Sequence, residues 1–216
     1  MPIWFQAIKG ASAAKSGQML LPSIISLSVA AISSGFILSV IGYYTPFMLL
    51  GSTMMAIGFG FLTSFRPNTG PSAWIGWQVM YGIGMGLAIP QPWSAIQTTL
   101  AIEDIPAGMT AIAFSISIGA ALFISISQNI FTNLLRQGLS NIPNVDGIIK
   151  QGATNLLQSI PASEKLQVIN VYNFAVTRTF WSCVAVVCLG MVAALVMDWN
   201  SVKKAKRDED VGKERS

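Results

Sequence analysis

The chain contains no histidine. That removes the commonest general base near neutral pH and the commonest metal ligand. Charge is the next shortage. Lys, Arg, Asp and Glu make up 10% of the 216 residues, whereas a soluble domain carries about 25%. So few charges cannot cover a globule with a wetted surface. Cysteine is sparse as well: Cys183 and Cys188 lie in one apolar run, five positions apart, a spacing that turns them away from each other on a helix and argues against a disulfide. The apolar runs contain no carboxylate and no lysine in their interiors. They offer nothing for acid–base or covalent chemistry, so no enzyme activity, cofactor or metal site is expected. No basic patch carries interleaved aromatics, which excludes nucleic acid as a partner.

What is abundant is apolar length. Hydrophobic residues make up 52% of the chain, and the mean hydropathy is +0.58. About five stretches, roughly 18–41, 44–64, 74–98, 107–131 and 173–197, are each long enough at 1.5 Å per residue to cross a hydrocarbon core of about 30 Å. The expected fold is an all-α membrane protein of about five transmembrane helices, with membrane lipid as its surroundings. Residues 1–17 read as the end of a preceding span and an outer loop. Residues 18–197 form the bundle, with a long outer loop over 132–172, and 198–216 form a charged tail. The link Gly42-Tyr43-Tyr44-Thr45-Pro46 reads as a tight turn with its tyrosines at headgroup depth.

The long loop carries Ile149, Ala153, Leu156, Leu157 and Ile160 at helical spacing, the pattern of a helix lying on the membrane or capping the bundle. Six of the thirteen Lys and Arg residues fall between Lys203 and Arg215, interleaved with acids, which reads as a solvated cytoplasmic tail. Five crossings then place the N-terminus, the Arg66 loop and the long loop outside, although Lys15 and Arg66 oppose that orientation. Pro2 to Gln6 reads as the end of a helix. With an odd number of spans, this favours Met1 as an internal methionine of a longer protein.

The third stretch holds the richest pattern. In Tyr81-Gly82-Ile83-Gly84-Met85-Gly86-Leu87-Ala88-Ile89-Pro90-Gln91-Pro92, Gly82 and Gly86 share a helical face that a neighbouring helix can approach closely. Gly84 adds a third small residue. Pro90 and Pro92 remove backbone donors and should kink or break the helix. Gln78, Gln91 and Gln97 on this stretch, with Asn129 on the fourth, are the candidates for lining a pathway. Gln128 is a further intramembrane polar residue. For Gln128 and Asn129 the competing role is a hydrogen bond between helices. Arg178 is the one charge within a span, placed near enough to its end to snorkel, pair or touch substrate.

Several of these segments together resemble a known family. Pro2-Ile3-Trp4-Phe5-Gln6-Ala7-Ile8-Lys9-Gly10, Ser16-Gly17, Leu21-Pro22, the Gly35 to Tyr43 region, Tyr81 to Gly86 with Gln91-Pro92, and Asp198-Trp199-Asn200-Ser201-Val202-Lys203 look like fungal drug and toxin efflux transporters of the major facilitator superfamily. The resemblance covers nearly the whole chain and matches the C-terminal part of the fourteen-span branch. It implies proton-coupled export of small molecules, a cytoplasmic C-terminus and a plasma-membrane or vacuolar location. The family's N-terminal half, which carries proton coupling, has no counterpart here. Either a missing N-terminal half is a partner, or the chain is a non-transporting structural protein or relic.

Overall fold

A computed structural model describes residues 1–140 and 165–196, and every described element is helical. Two short helices, α1 (Pro2–Ala7) and α2 (Ala13–Gln18), lead into α3 (Leu21–Ile41). Helix α4 covers Thr45–Thr63, α5 Pro71–Ala88 and α6 Gln91–Thr99. A single 3-10 turn, Ile102–Asp104, precedes α7 (Ile105–Gly138), and α8 spans Lys165–Val196. Among the described residues, four helical stretches are long and apolar enough to cross a membrane: Ala13–Ile41, Thr45–Thr63, Ile102–Gly138 and Lys165–Val196. The third expected span is divided at Ile89 and Pro90 into α5 and α6.

Prolines open most of these helices. Pro22, Pro46, Pro71, Pro92 and Pro106 each occupy one of the first two positions, where the missing N–H belongs to a turn without intrahelical partners anyway. Helix α3 ends on Gly42, left-handed at φ 85°, whose N–H donates to the Leu38 carbonyl at 2.7 Å. The tight turn expected there is present. Its tyrosines divide: Tyr43 is exposed, whereas Tyr44 is fully buried beside Leu38 and Ala95.

The helices pack side by side in the order α3, α5, α4, α8, α7, with α6 against the start of α7. Helices α7 and α8 run further than the pattern of apolar residues suggested, to Gly138 and back to Lys165, and so occupy both ends of the expected 132–172 loop. The reason is packing of the two helices against each other. Leu135 and Leu139 are fully buried in a cluster with Val168, Tyr172 and Ala175, so the polar Thr132-Asn133 and Arg136-Gln137 pairs on the other faces do not end the helix. The amphipathic stretch at 149–160 and the charged tail lie outside the described residues.

Candidate functional site: a broken helix between two neighbours

Helix α5 is held between α3 and α4, and its glycines serve both sides. Gly82 faces the backbone of Ser23 and the side chain of Ser26; Gly86, one turn later, faces Leu27, Ala30 and Ala31. Gly84 points the other way, into α4, where it meets Gly51 and Met55. Gly51 is just as tight: a Cβ there would stand 2.7 Å from the Ala88 amide nitrogen. Small residues on both partners let the backbones approach this closely. On α3 they are Ser23, Ser26, Ala30 and Ser34, a buried stripe at helical spacing that sequence reading passed over because serine on an apolar helix gives no contrast.

The break after α5 leaves carbonyls without their usual helical donors. Pro90 has no N–H for the Gly86 carbonyl, four residues earlier. The Ser34 hydroxyl of α3 lies 3.3 Å from that oxygen and 2.9 Å from its own Ala31 carbonyl, so one proton serves two acceptors. The next carbonyl, Leu87, accepts 2.8 Å from the Gln91 side-chain amide. The discontinuity is therefore finished by side chains, as irregular backbone within a membrane requires. Ser34 was not among the candidate residues.

The four pathway candidates do not converge. Gln78 is fully buried and donates 3.0 Å to the Met19 carbonyl at the entry to α3. Gln91 is equally buried, but thirteen residues away, about 20 Å along the helical path. The Oε1 atoms of both lack a hydrogen-bond partner among the described residues. Gln97 is exposed on α6, and Asn129 is exposed on α7, its amide turned back 2.9 Å onto the Ser125 carbonyl of its own helix. Arg178 is exposed and lies over the Phe174 ring at 4.9 Å, one turn nearer the start of α8. Pro92 sits in the first turn of α6, where it costs the helix nothing.

At the end of the bundle where α5 begins, α1 is locked in place. Trp4 and Phe5 are fully buried. The Trp4 indole N–H donates 2.7 Å to Asn173 Oδ1, and the Asn173 amide donates 2.9 Å to the Phe65 carbonyl. The Phe65 ring lies tilted against Trp4 at 4.5 Å, and Trp74 meets Phe5 edge-on at 5.1 Å. The Lys9 ammonium closes the junction by donating to the carbonyls of Pro67 (2.7 Å) and Thr69 (2.9 Å). The Pro2 to Gly10 stretch, one of those that carry the resemblance, is thus a structural knot joining α1, the α4–α5 loop and α8.

Comparison with known proteins agrees with that resemblance. The chain is similar to the efflux pump roqT of Penicillium rubens, 40% identical over 209 residues, which is 95% of this chain and 39% of the pump. It is 43% identical over 206 residues to the MFS-type transporter olcL of Penicillium canescens, covering 94% of this chain and 36% of that protein. A protein of Neocamarosporium betae named aspyridones efflux protein is 37% identical over 212 residues, 96% of this chain and 38% of its own length. The chain corresponds to part of a major facilitator superfamily transporter. It spans less than half the length of these relatives. No family model and no solved structure matches it. The relatives are transporters, not enzymes, in accord with spans that carry no catalytic side chains.

One feature of this transporter segment had no counterpart in the sequence reading. A furrow of about 400 Å³ runs between α7 and α8, lined on α7 by Phe123, Ile124 and Ser127 among others, and on α8 by Thr179, Phe180 and Cys183. The Ser127 and Ser182 hydroxyls stand 3.4 Å apart between the two helices. Cys183 is half-buried, Cys188 is exposed, and both are free thiols.

Proposed function

We propose that this stretch is the C-terminal part of a fungal efflux transporter, one that exports small, mostly apolar molecules such as secondary metabolites, toxins or drugs in exchange for protons. The observation that carries the reading is similarity to an efflux pump over 95% of the chain. A helix broken within the membrane and flanked by close, glycine-mediated contacts suits a bundle that rocks against a second half. No acidic residue lies inside the spans, so the proton-carrying groups belong to the rest of the transporter, and the missing N-terminal half is the partner. Gln97 and Asn129, open on helix surfaces, are the side chains substrate reaches. Gln78 and Gln91 are engaged by backbone carbonyls. The C-terminus lies in the cytoplasm, and the membrane is the plasma or vacuolar membrane.

The test is an export assay in a yeast strain stripped of its own efflux pumps. It compares this chain alone, this chain joined at Met1 to the remaining length of the Penicillium rubens pump, and an empty vector. Export of a panel of dyes and fungal metabolites is expected from the joined chain only. Export by the chain alone would overturn the half-transporter reading. Correct insertion of the joined chain without export of any compound would leave a non-transporting structural role or a relic.

A further inference from the structure

The geometry points to a phospholipid site on the outer side of α8, where the Arg178 guanidinium holds the phosphodiester of one membrane glycerophospholipid. Arg178 is exposed, and from it to Val196 run eighteen steps of α8, about 27 Å, without another charge. That length nearly fills a hydrocarbon core of about 30 Å, so Arg178 stands at the core's edge, where lipid phosphates begin. Side chains on a helix lean toward its N-terminus. Arg178 accordingly reaches back over the Phe174 ring, 4.9 Å from its centroid, toward the nearer membrane face. The ring attracts the cation, but among the described residues the five N–H groups of the guanidinium have no acceptor. A cation at the edge of hydrocarbon with open donors is costly. A phosphate matches both its charge and its planar fork.

Phe174 joins this cation to a groove. A cavity of about 440 Å³, sharing no residue with the furrow, opens between the two helices. Leu134, Gln137 and Gly138 of α7 line one side of it, and Asn170, Val171 and Phe174 of α8 the other. Its floor is where the helices touch: a Cβ on Gly138 would run into the Val171 side chain. Asn170, Phe174 and Arg178 follow at intervals of four on one exposed face, which puts Asn170 about 12 Å beyond Arg178, among the headgroups. The amides of Gln137 and Asn170 are exposed and make no hydrogen bond among the described residues. They offer donors and acceptors to ester and headgroup oxygens, and no carboxylate lines the groove to repel a phosphate. In the other direction the same face continues as Trp181, Leu189 and Val192, all exposed, a strip for acyl chains. Polar groove, cation and apolar strip thus follow the order of headgroup, phosphate and chain. A free phosphate would use only the middle of the three. The inference goes beyond the export reading and requires only that α8 spans the membrane.

Native mass spectrometry of the detergent-solubilised chain provides the test. The probe is dioleoylphosphatidylglycerol, and the comparator is dioleoylglycerol, which lacks the phosphate. The chain is expected to retain one phosphatidylglycerol on the order of tenfold more tightly than the diacylglycerol. Arg178→Gln should weaken phosphatidylglycerol by about tenfold, the scale of lost charge-assisted hydrogen bonds, and leave the diacylglycerol unchanged. Asn170→Ala should weaken the same lipid by about two- to fivefold. Lys15→Gln removes an exposed cation of α2 that is not part of the groove, and should change nothing. Equal retention of the two lipids, or of neither, overturns the inference and gives the groove to protein. A loss in Lys15→Gln equal to that in Arg178→Gln also overturns it, since general attraction of an anionic lipid would then suffice. So does displacement of the lipid by millimolar inorganic phosphate, which would make this a site for the free anion. Should Arg178→Gln not stay monodisperse, Asn170→Ala decides, and unchanged affinity there overturns the inference. Should the chain alone not stay folded in detergent, the same series is run on the chain joined at Met1 to the remaining length of the Penicillium rubens pump. Lipid retention does not depend on export. A joined chain that holds the lipid through Arg178 but exports nothing removes the transport reading and keeps this one.

Discussion

A Cβ on Gly84 would stand 2.6 Å from the Met55 amide nitrogen and 2.7 Å from the Gly51 carbonyl oxygen, both backbone atoms of α4. One on Gly76, two turns earlier on the same helix, meets nothing within 4 Å. The two substitutions to alanine should therefore act in opposite directions. Gly84→Ala must push α4 and α5 apart and is expected to cost about 1–3 kcal/mol, the usual price of overpacking. Gly76→Ala only gains helix propensity and is expected to be neutral or to stabilise by up to about 1 kcal/mol. Thermal unfolding of both variants in one detergent, followed by loss of the monodisperse peak, reads the difference; equal midpoints would mean that the close approach at Gly84 is not maintained. A glycine count does not separate these residues, because the distinction lies in which neighbour each one faces.

Among the elements, the junction of α5 and α6 is where sequence reading reached furthest and then stopped. Pro90 and Pro92 announced a break, and the break falls at Ile89 and Pro90. The pattern did not disclose that Ser34, fifty-two residues before Gly86, supplies a donor to the carbonyl that Pro90 leaves open. A hydrogen bond across that separation has no local signature. If Ser34 compensates for the proline, removing the proline should relieve the need for it. Ser34→Ala is expected to cost about 0.5–1.5 kcal/mol alone and distinctly less in a Pro90→Ala background, where the restored N–H reaches Gly86. A double-mutant cycle on unfolding midpoints measures this coupling, and strict additivity would detach Ser34 from the break. Other elements show the same boundary of legibility. The long apolar runs gave the helices, since lipid leaves no alternative for the backbone. The extension of α7 and α8 into the expected loop was missed, because Leu135, Leu139, Val168 and Tyr172 identify themselves only by meeting one another. Gln78 and Gln91 stood out as polar residues in apolar surroundings, but the carbonyls they bind were not foreseeable.

For the molecule as a whole, the helix order places α3, α5, α4 and α8 in contact one after the next and leaves α7 at one edge, touching α8 and α6. The same order sends the α4–α5 loop to one membrane face and the Ile102–Asp104 turn to the other. If the C-terminus is cytoplasmic, Asn68→Cys should react with a membrane-impermeant maleimide in intact cells, and Glu103→Cys only after permeabilisation. Both positions are exposed, so burial does not confuse the comparison. The reverse pattern would invert the orientation, and with it the direction of export. The knot around Trp4 also has a consequence for synthesis. Its indole partner, Asn173, lies 169 residues later, in the last described helix. While the ribosome is still making α3 to α7, the α1 rings lack the asparagine that fixes them. Insertion of α8 is thus the event that closes the bundle, and a chain released before residue 173 leaves Trp4 and the Phe65 carbonyl facing each other without the amide that joins them.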